Sequence, residues 1–116
     1  MEIKQKGELF LDVEVASSIF EKMKGLMFRE PEDGKGLLME FKYEGRWGVW
    51  MLFVPDDLTL FFLDREKTVV DKEIANKMTL DPGTWKVYKP KEKCKYILEC
   101  KPEVIDKLEI GDVLEW

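Results

Sequence analysis

The sequence contains no histidine, one glutamine (Gln5), one asparagine (Asn76) and two cysteines. Without histidine, no Ser-His-Asp triad, Cys-His pair or imidazole metal site can be assembled. A general base working near neutrality would have to be a carboxylate, lysine or thiol with a displaced pKa. Two cysteines are not a disulfide framework. On one extended strand Cys94 and Cys100 would stand about 20 Å apart, whereas a disulfide needs Cα atoms within about 7 Å. They are read as free thiols in the core, and their even spacing puts both on one face. No run approaches the roughly 18 apolar residues of a membrane helix. The N-terminus, MEIKQKGELF, lacks the basic-then-apolar order of a signal peptide. The expectation is a soluble cytoplasmic protein without membrane contact.

What is plentiful is charge, at 37% of residues. Nineteen Lys+Arg against 24 Asp+Glu leave a net charge of -5, which repels a phosphate backbone and argues against a nucleic-acid partner. The lysine-rich connection from Lys86 to Lys95 is read as a solvated loop guarding a strand edge. Abundant Lys and Glu with few thermolabile amides is a thermophile-like composition. A length of 116 residues fits a single domain spanning 1–116. No cofactor motif or metal-ligand cluster is visible.

Residues 8–15 alternate, with Leu9, Leu11, Val13 and Val15 on one face, as in a half-buried strand. Gly7 turns the chain back to a short strand at 2–6. Ser18 and Glu21 stand at capping-box spacing, Ile19, Phe20 and Met23 fall at helical intervals, and Gly25 is placed to stop the helix. GLLMEFKY (36–43), RWGVWMLFV (46–54), LTLFFLD (58–64), TVVDKEIAN (68–76), KYILEC (95–100) and DVLEW (112–116) read as further strands. LTLFFLD is apolar throughout, which predicts burial on both faces. Asp64–Lys67 and Asp81-Pro82-Gly83 read as turns. Pro102 opens a second short helix over 102–108. The fold class is therefore mainly β: a small antiparallel barrel or sandwich-like domain of seven to eight short strands with two short helices.

Four residues are candidates for ligand binding, and none is assigned a catalytic role. Arg29 follows a helix C-terminus among the apolar Leu26, Met27 and Phe28. Its forked guanidinium suits a carboxylate or phosphate, and the plainer reading pairs it with a carboxylate such as Asp64 or Glu99. Asp64 and Glu99 end or interrupt apolar strands, where a carboxyl pKa can rise. Trp50 lies in a strand apolar on both faces, consistent with a core strand or an aromatic-lined groove. Asp56 and Asp57 read as turn formers rather than a cation loop.

The order of motifs resembles the prokaryotic family catalogued as domain of unknown function 192, over roughly residues 9–116. Ala16 followed by a helix and GLMFR (25–29) is similar to that family's Gly-Leu-Met-x-Arg. GLLMEF (36–41) is similar to its Gly-Met-Leu-Phe strand, Trp50-Met51 to its Trp-Met step, and LTLFFLD to its Leu-Asp-Ile-x-Phe-x-Asp strand. YILE (96–99) and IGDVL (110–114) are similar to its closing elements. The chain departs from the pattern after Trp50-Met51, where Leu52, Phe53 and Val54 replace Lys-Asn-Thr, and at Asp57-Leu58-Thr59, where the family has Pro-Leu-Asp. The resemblance implies a small, mostly β fold with a short helix after the first strand, and it brings no established activity with it. The function expected is a non-enzymatic module that binds a small molecule or peptide in an aromatic-lined groove. The alternatives are a protein-interaction domain or a small enzyme using carboxylates and Arg29.

Overall fold

The computed structural model describes the chain except Phe28 and the side chains of Ile19, Phe20 and Met23. The helical face expected at those three positions, and the Phe28 neighbour of Arg29, lie outside the described residues. Among the described residues eight strands form: β1 (Glu2–Gln5), β2 (Glu8–Ala16), β3 (Lys35–Gly45), β4 (Val49–Trp50), β5 (Leu58–Leu63), β6 (Val69–Ala75), β7 (Val87–Tyr88) and β8 (Cys94–Cys100). One α-helix, α1 (Ile19–Lys24), follows β2, and 3-10 helices span Pro82–Thr84 and Pro102–Lys107.

Six strands make one sheet in the order β1-β2-β3-β8-β5-β6, and β4 pairs with β7 in a small second sheet. The expected antiparallel barrel is corrected in two respects. First, β2 and β3 are parallel, because α1 carries the chain across rather than back, as parallel neighbours require. Second, the main sheet is open. Among the described residues, its outer strands are linked through residues 113–115, which form isolated bridges from Lys4 to Glu115 and from Thr68 to Val113. The strand expected at 112–116 is thus reduced to two bridges.

Local chemistry explains the elements that match expectation. Ser18 Oγ accepts from the Glu21 amide at 3.0 Å, and the Ser18 amide donates to the Glu21 carboxylate at 3.0 Å, which closes the capping box on α1. Asp64 Oδ1 accepts from the amides of Glu66 and Thr68 at 2.9 and 3.0 Å, fixing the β5–β6 hairpin turn. Every residue of β5 is buried, because the strand lies between β8 and β6 with a core on each face. On one face, Leu58, Leu60 and Phe62 pack with Leu26, Met39, Val49 and Met51. On the other, Phe61 and Leu63 pack with Ile3, Leu38, Leu98 and Leu108.

Three expectations fail. The nine-residue strand at 46–54 shrinks to Val49–Trp50, because the chain turns after Met51, where the Val54 amide donates to the Met51 carbonyl at 3.1 Å and Phe53 takes φ 60°. β7 lies inside the lysine-rich connection that was expected to be loop throughout. The cysteines are both free and buried, but they do not share a face: Cys94 packs in the first core and Cys100 in the second. A register irregularity where β8 meets β3, between Glu40 and Gly45, breaks the even-spacing rule at Cys94.

Candidate functional site

The first core does not fill its space. Between α1, β3 and the β4 region it leaves an open cavity of about 650 Å³, within the range of about 300–1,000 Å³ usual for small-molecule sites. Its lining is overwhelmingly apolar and includes Leu26, Met39, Phe41, Trp47, Val49 and Trp50. β3 supplies Met39 and Phe41 by strand alternation. Phe41 stacks on Trp47, with ring centroids 4.9 Å apart and planes 3° from parallel. Trp47 is oriented by its indole N–H, which donates to the Tyr43 carbonyl at 2.8 Å.

One carboxyl reaches this apolar space. Glu99 sits on β8, opposite Leu37 of β3 and Leu60 of β5, and is only 3% exposed. Among the described residues, none donates a hydrogen bond to its carboxyl. Burial pushes the pKa up to about 7, against the field of the Arg29 guanidinium, which favours the carboxylate. The group therefore takes up and loses its proton near neutrality, a range closed to ordinary glutamate. Gly36 permits the close packing of β3 on β8 beside it, since a Cβ there would stand 2.6 Å from the Glu99 carbonyl oxygen.

Trp50 and Glu99 line the same cavity. Trp50, 58% exposed, also borders a second cleft with Leu52, Val54, Met78, Leu80 and Trp85, so the two spaces adjoin. Arg29 lies elsewhere. It lines a neighbouring, more polar cavity and binds Glu14 through both terminal nitrogens, at 2.9 and 3.3 Å. The expectation that it pairs with Asp64 or Glu99 is thus corrected: its partner is the β2 carboxylate, and it reaches Glu99 only through its field. Asp64 is occupied in the hairpin turn and borders neither space. Sequence reasoning missed Lys22, Lys24 and Lys42, which stand on the cavity lining. Their only signal was position, two on a short capped helix and one on the strand beside it. Among the described residues, no three His, Cys, Asp or Glu side chains gather as metal ligands, and no helix is long and apolar enough to cross a membrane.

The whole chain, residues 1–116, matches the family DUF192, described as Uncharacterized ACR. The protein belongs to this family. DUF192 membership thus extends the resemblance seen at residues 9–116 to the first strand as well. A UPF0127 protein of Pyrococcus abyssi (strain GE5 / Orsay) is 34% identical over 108 residues, which cover 90% of this chain and 85% of that protein. A UPF0127 protein of Pyrococcus furiosus is 32% identical over 111 residues, covering 94% and 90%. Among solved structures, a protein of unknown function from Novosphingobium aromaticivorans DSM 12444 superposes with a TM-score of 0.81 at 22% identity, over 99% of this chain and 82% of that one. That likeness establishes that the DUF192 fold is shared.

Proposed function

We propose that this DUF192 protein is a non-enzymatic binding module that holds a small apolar molecule in the cavity walled by Phe41, Trp47 and Trp50. The observation that carries the reading is the roughly 650 Å³ apolar space with a single carboxyl in its lining. An apolar pocket with few polar groups is the usual form of a ligand site. Two free, buried thiols suit a reducing compartment such as the cytoplasm. An enzyme built on carboxylates and Arg29 has less support, because Glu14 already engages the guanidinium.

A second reading, docking of another protein, rests on the adjoining cleft, where Leu80 is 95% and Trp85 57% exposed. Exposed apolar clusters of this kind often mark contact surfaces. The test is titration with N-phenyl-1-naphthylamine, an uncharged apolar fluorophore. Saturable one-to-one enhancement, weakened at least tenfold by Trp50→Ala and unchanged by the remote Leu9→Ala, supports the cavity. No enhancement, or equal enhancement in Trp50→Ala, overturns it and favours the docking reading.

A further inference from the structure

Resting on that binding reading, we propose that the cavity's ligand is a long-chain aliphatic monocarboxylate, its chain in the apolar space and its charged end among Lys22, Lys24 and Lys42. Three observations converge on this class.

The first is charge. The chain as a whole carries -5, yet the charged side chains lining the cavity are three lysines and one glutamate. Among the described residues, none of the three lysines makes an ion pair. The Lys22 ammonium rests 4.4 Å from the Phe41 ring centre and that of Lys42 lies 5.6 Å from the Tyr43 ring centre. Ammonium groups parked on aromatic faces are held near the cavity without being neutralised, and remain able to take an anion. Glu99 offsets little of this charge, because its burial keeps much of it protonated up to neutrality. A basic mouth on an acidic protein attracts an anion locally.

The second is the kind of donor. Lysines are separate point charges, and no arginine fork lines this cavity among the described residues. A guanidinium fork grips a carboxylate or phosphate by paired hydrogen bonds in a fixed geometry. Lysines on flexible stems instead meet an anionic end as point charges, which suits the mobile end of an amphiphile.

The third is shape. The cavity continues past Trp50, Leu52 and Val54, which it shares with the cleft bordered by Met78 and Leu80. An apolar track that leaves the cavity suits an extended chain better than a compact ring.

The test compares sodium dodecanoate with dodecyltrimethylammonium, the same chain length carrying the opposite charge. Both are titrated below their micelle concentrations at pH 6.5 and low salt, by calorimetry and tryptophan fluorescence. The expected result is at least tenfold tighter binding of dodecanoate. The variant Lys22→Ser/Lys24→Ser/Lys42→Ser should lose at least tenfold of that affinity while still enhancing N-phenyl-1-naphthylamine fluorescence, which also shows that it is folded. Equal or reversed ranking of the two amphiphiles, or unchanged dodecanoate affinity in the lysine variant, overturns the proposal. Binding of the neutral fluorophore without any binding of dodecanoate overturns this inference and leaves the cavity reading standing. Binding of neither overturns both.

Discussion

Arg29 grips Glu14 through both terminal guanidinium nitrogens, yet its field is felt at Glu99, a residue it does not touch. The ion pair itself is exposed, with 45% and 67% of the two side chains accessible. Exposed pairs contribute at most about 1 kcal/mol. Arg29→Ala should therefore lower stability by less than about 1 kcal/mol in denaturant unfolding, and a loss above 2 would reveal a further contact. The same substitution should move the Glu99 pKa further up, because the guanidinium favours its carboxylate. Carboxyl-carbon NMR titration reads that shift directly.

Glu99 predicts how stability follows pH. Its pKa is about 7 in the native state against an ordinary 4.5. Between these values the unfolded chain releases the proton while the native state keeps it, so the native state binds more protons and stability falls as pH rises. The loss begins near pH 4.5, is complete above about pH 7, and amounts to about 3 kcal/mol at roughly 1.4 kcal/mol for each pH unit of displacement. Glu99→Gln should abolish this fall, so that the variant gains on the wild type between pH 5 and pH 8. Parallel stability profiles for the two proteins would contradict the assignment.

Gly36 is a packing constraint. Added to Gly36, a Cβ meets the backbone carbonyl of Glu99 at 2.6 Å, and backbone cannot rotate aside as a side-chain tip can. Gly36→Ala should cost roughly 1–3 kcal/mol, as overpacked core substitutions do. Thermal unfolding measures it, and an unchanged midpoint would mean that β3 and β8 separate freely here.

The thiols should be silent in the folded protein. Burial pushes Cys94 up to about 11, and burial together with the neighbouring Glu99 pushes Cys100 up as well. Neither presents a thiolate at pH 8, the form that reacts. Titration with a disulfide reagent should find no reactive thiol in native protein and two after denaturation. Fast reaction of native protein would place a cysteine at the surface.

Elements specified by neighbouring residues were legible in the sequence. Ser18 with Glu21, the Asp64 turn and the start at Pro102 each depend on contacts within a few positions, and the doubly buried β5 announces itself by an unbroken apolar run. The features that escaped depend on distant partners. The parallel seating of β2 on β3 and the bridges at 113–115 are decided by which edge is free, which no local pattern records. The shared face assigned to Cys94 and Cys100 fails through the register irregularity opposite β8. At the candidate site, Trp50 and Glu99 could be named as unusual, but their meeting could not, because β4 and β8 belong to different sheets that no local pattern brings together. Arg29 pairs with a carboxylate, but with Glu14 rather than Asp64 or Glu99, because the crossover through α1 brings Glu14 to it. Lys22, Lys24 and Lys42 look like ordinary surface lysines until the empty space beside them is seen.

The bridges that residues 113–115 make to Lys4 and Thr68 also set the timing of folding. The Lys4 amide donates to the Glu115 carbonyl at 2.8 Å, the Glu115 amide returns the bond at 2.8 Å, and the Lys67 carbonyl accepts from Leu114 at 2.9 Å. The two Lys4–Glu115 bonds join opposite ends of the sequence, so they form only after nearly the whole chain has been drawn into one loop, and the entropy of that closure is spent before they return anything. Refolding should accordingly run over milliseconds to seconds, the pace of domains ruled by long-range pairing. Joining the last segment to the first strand would be among its final steps.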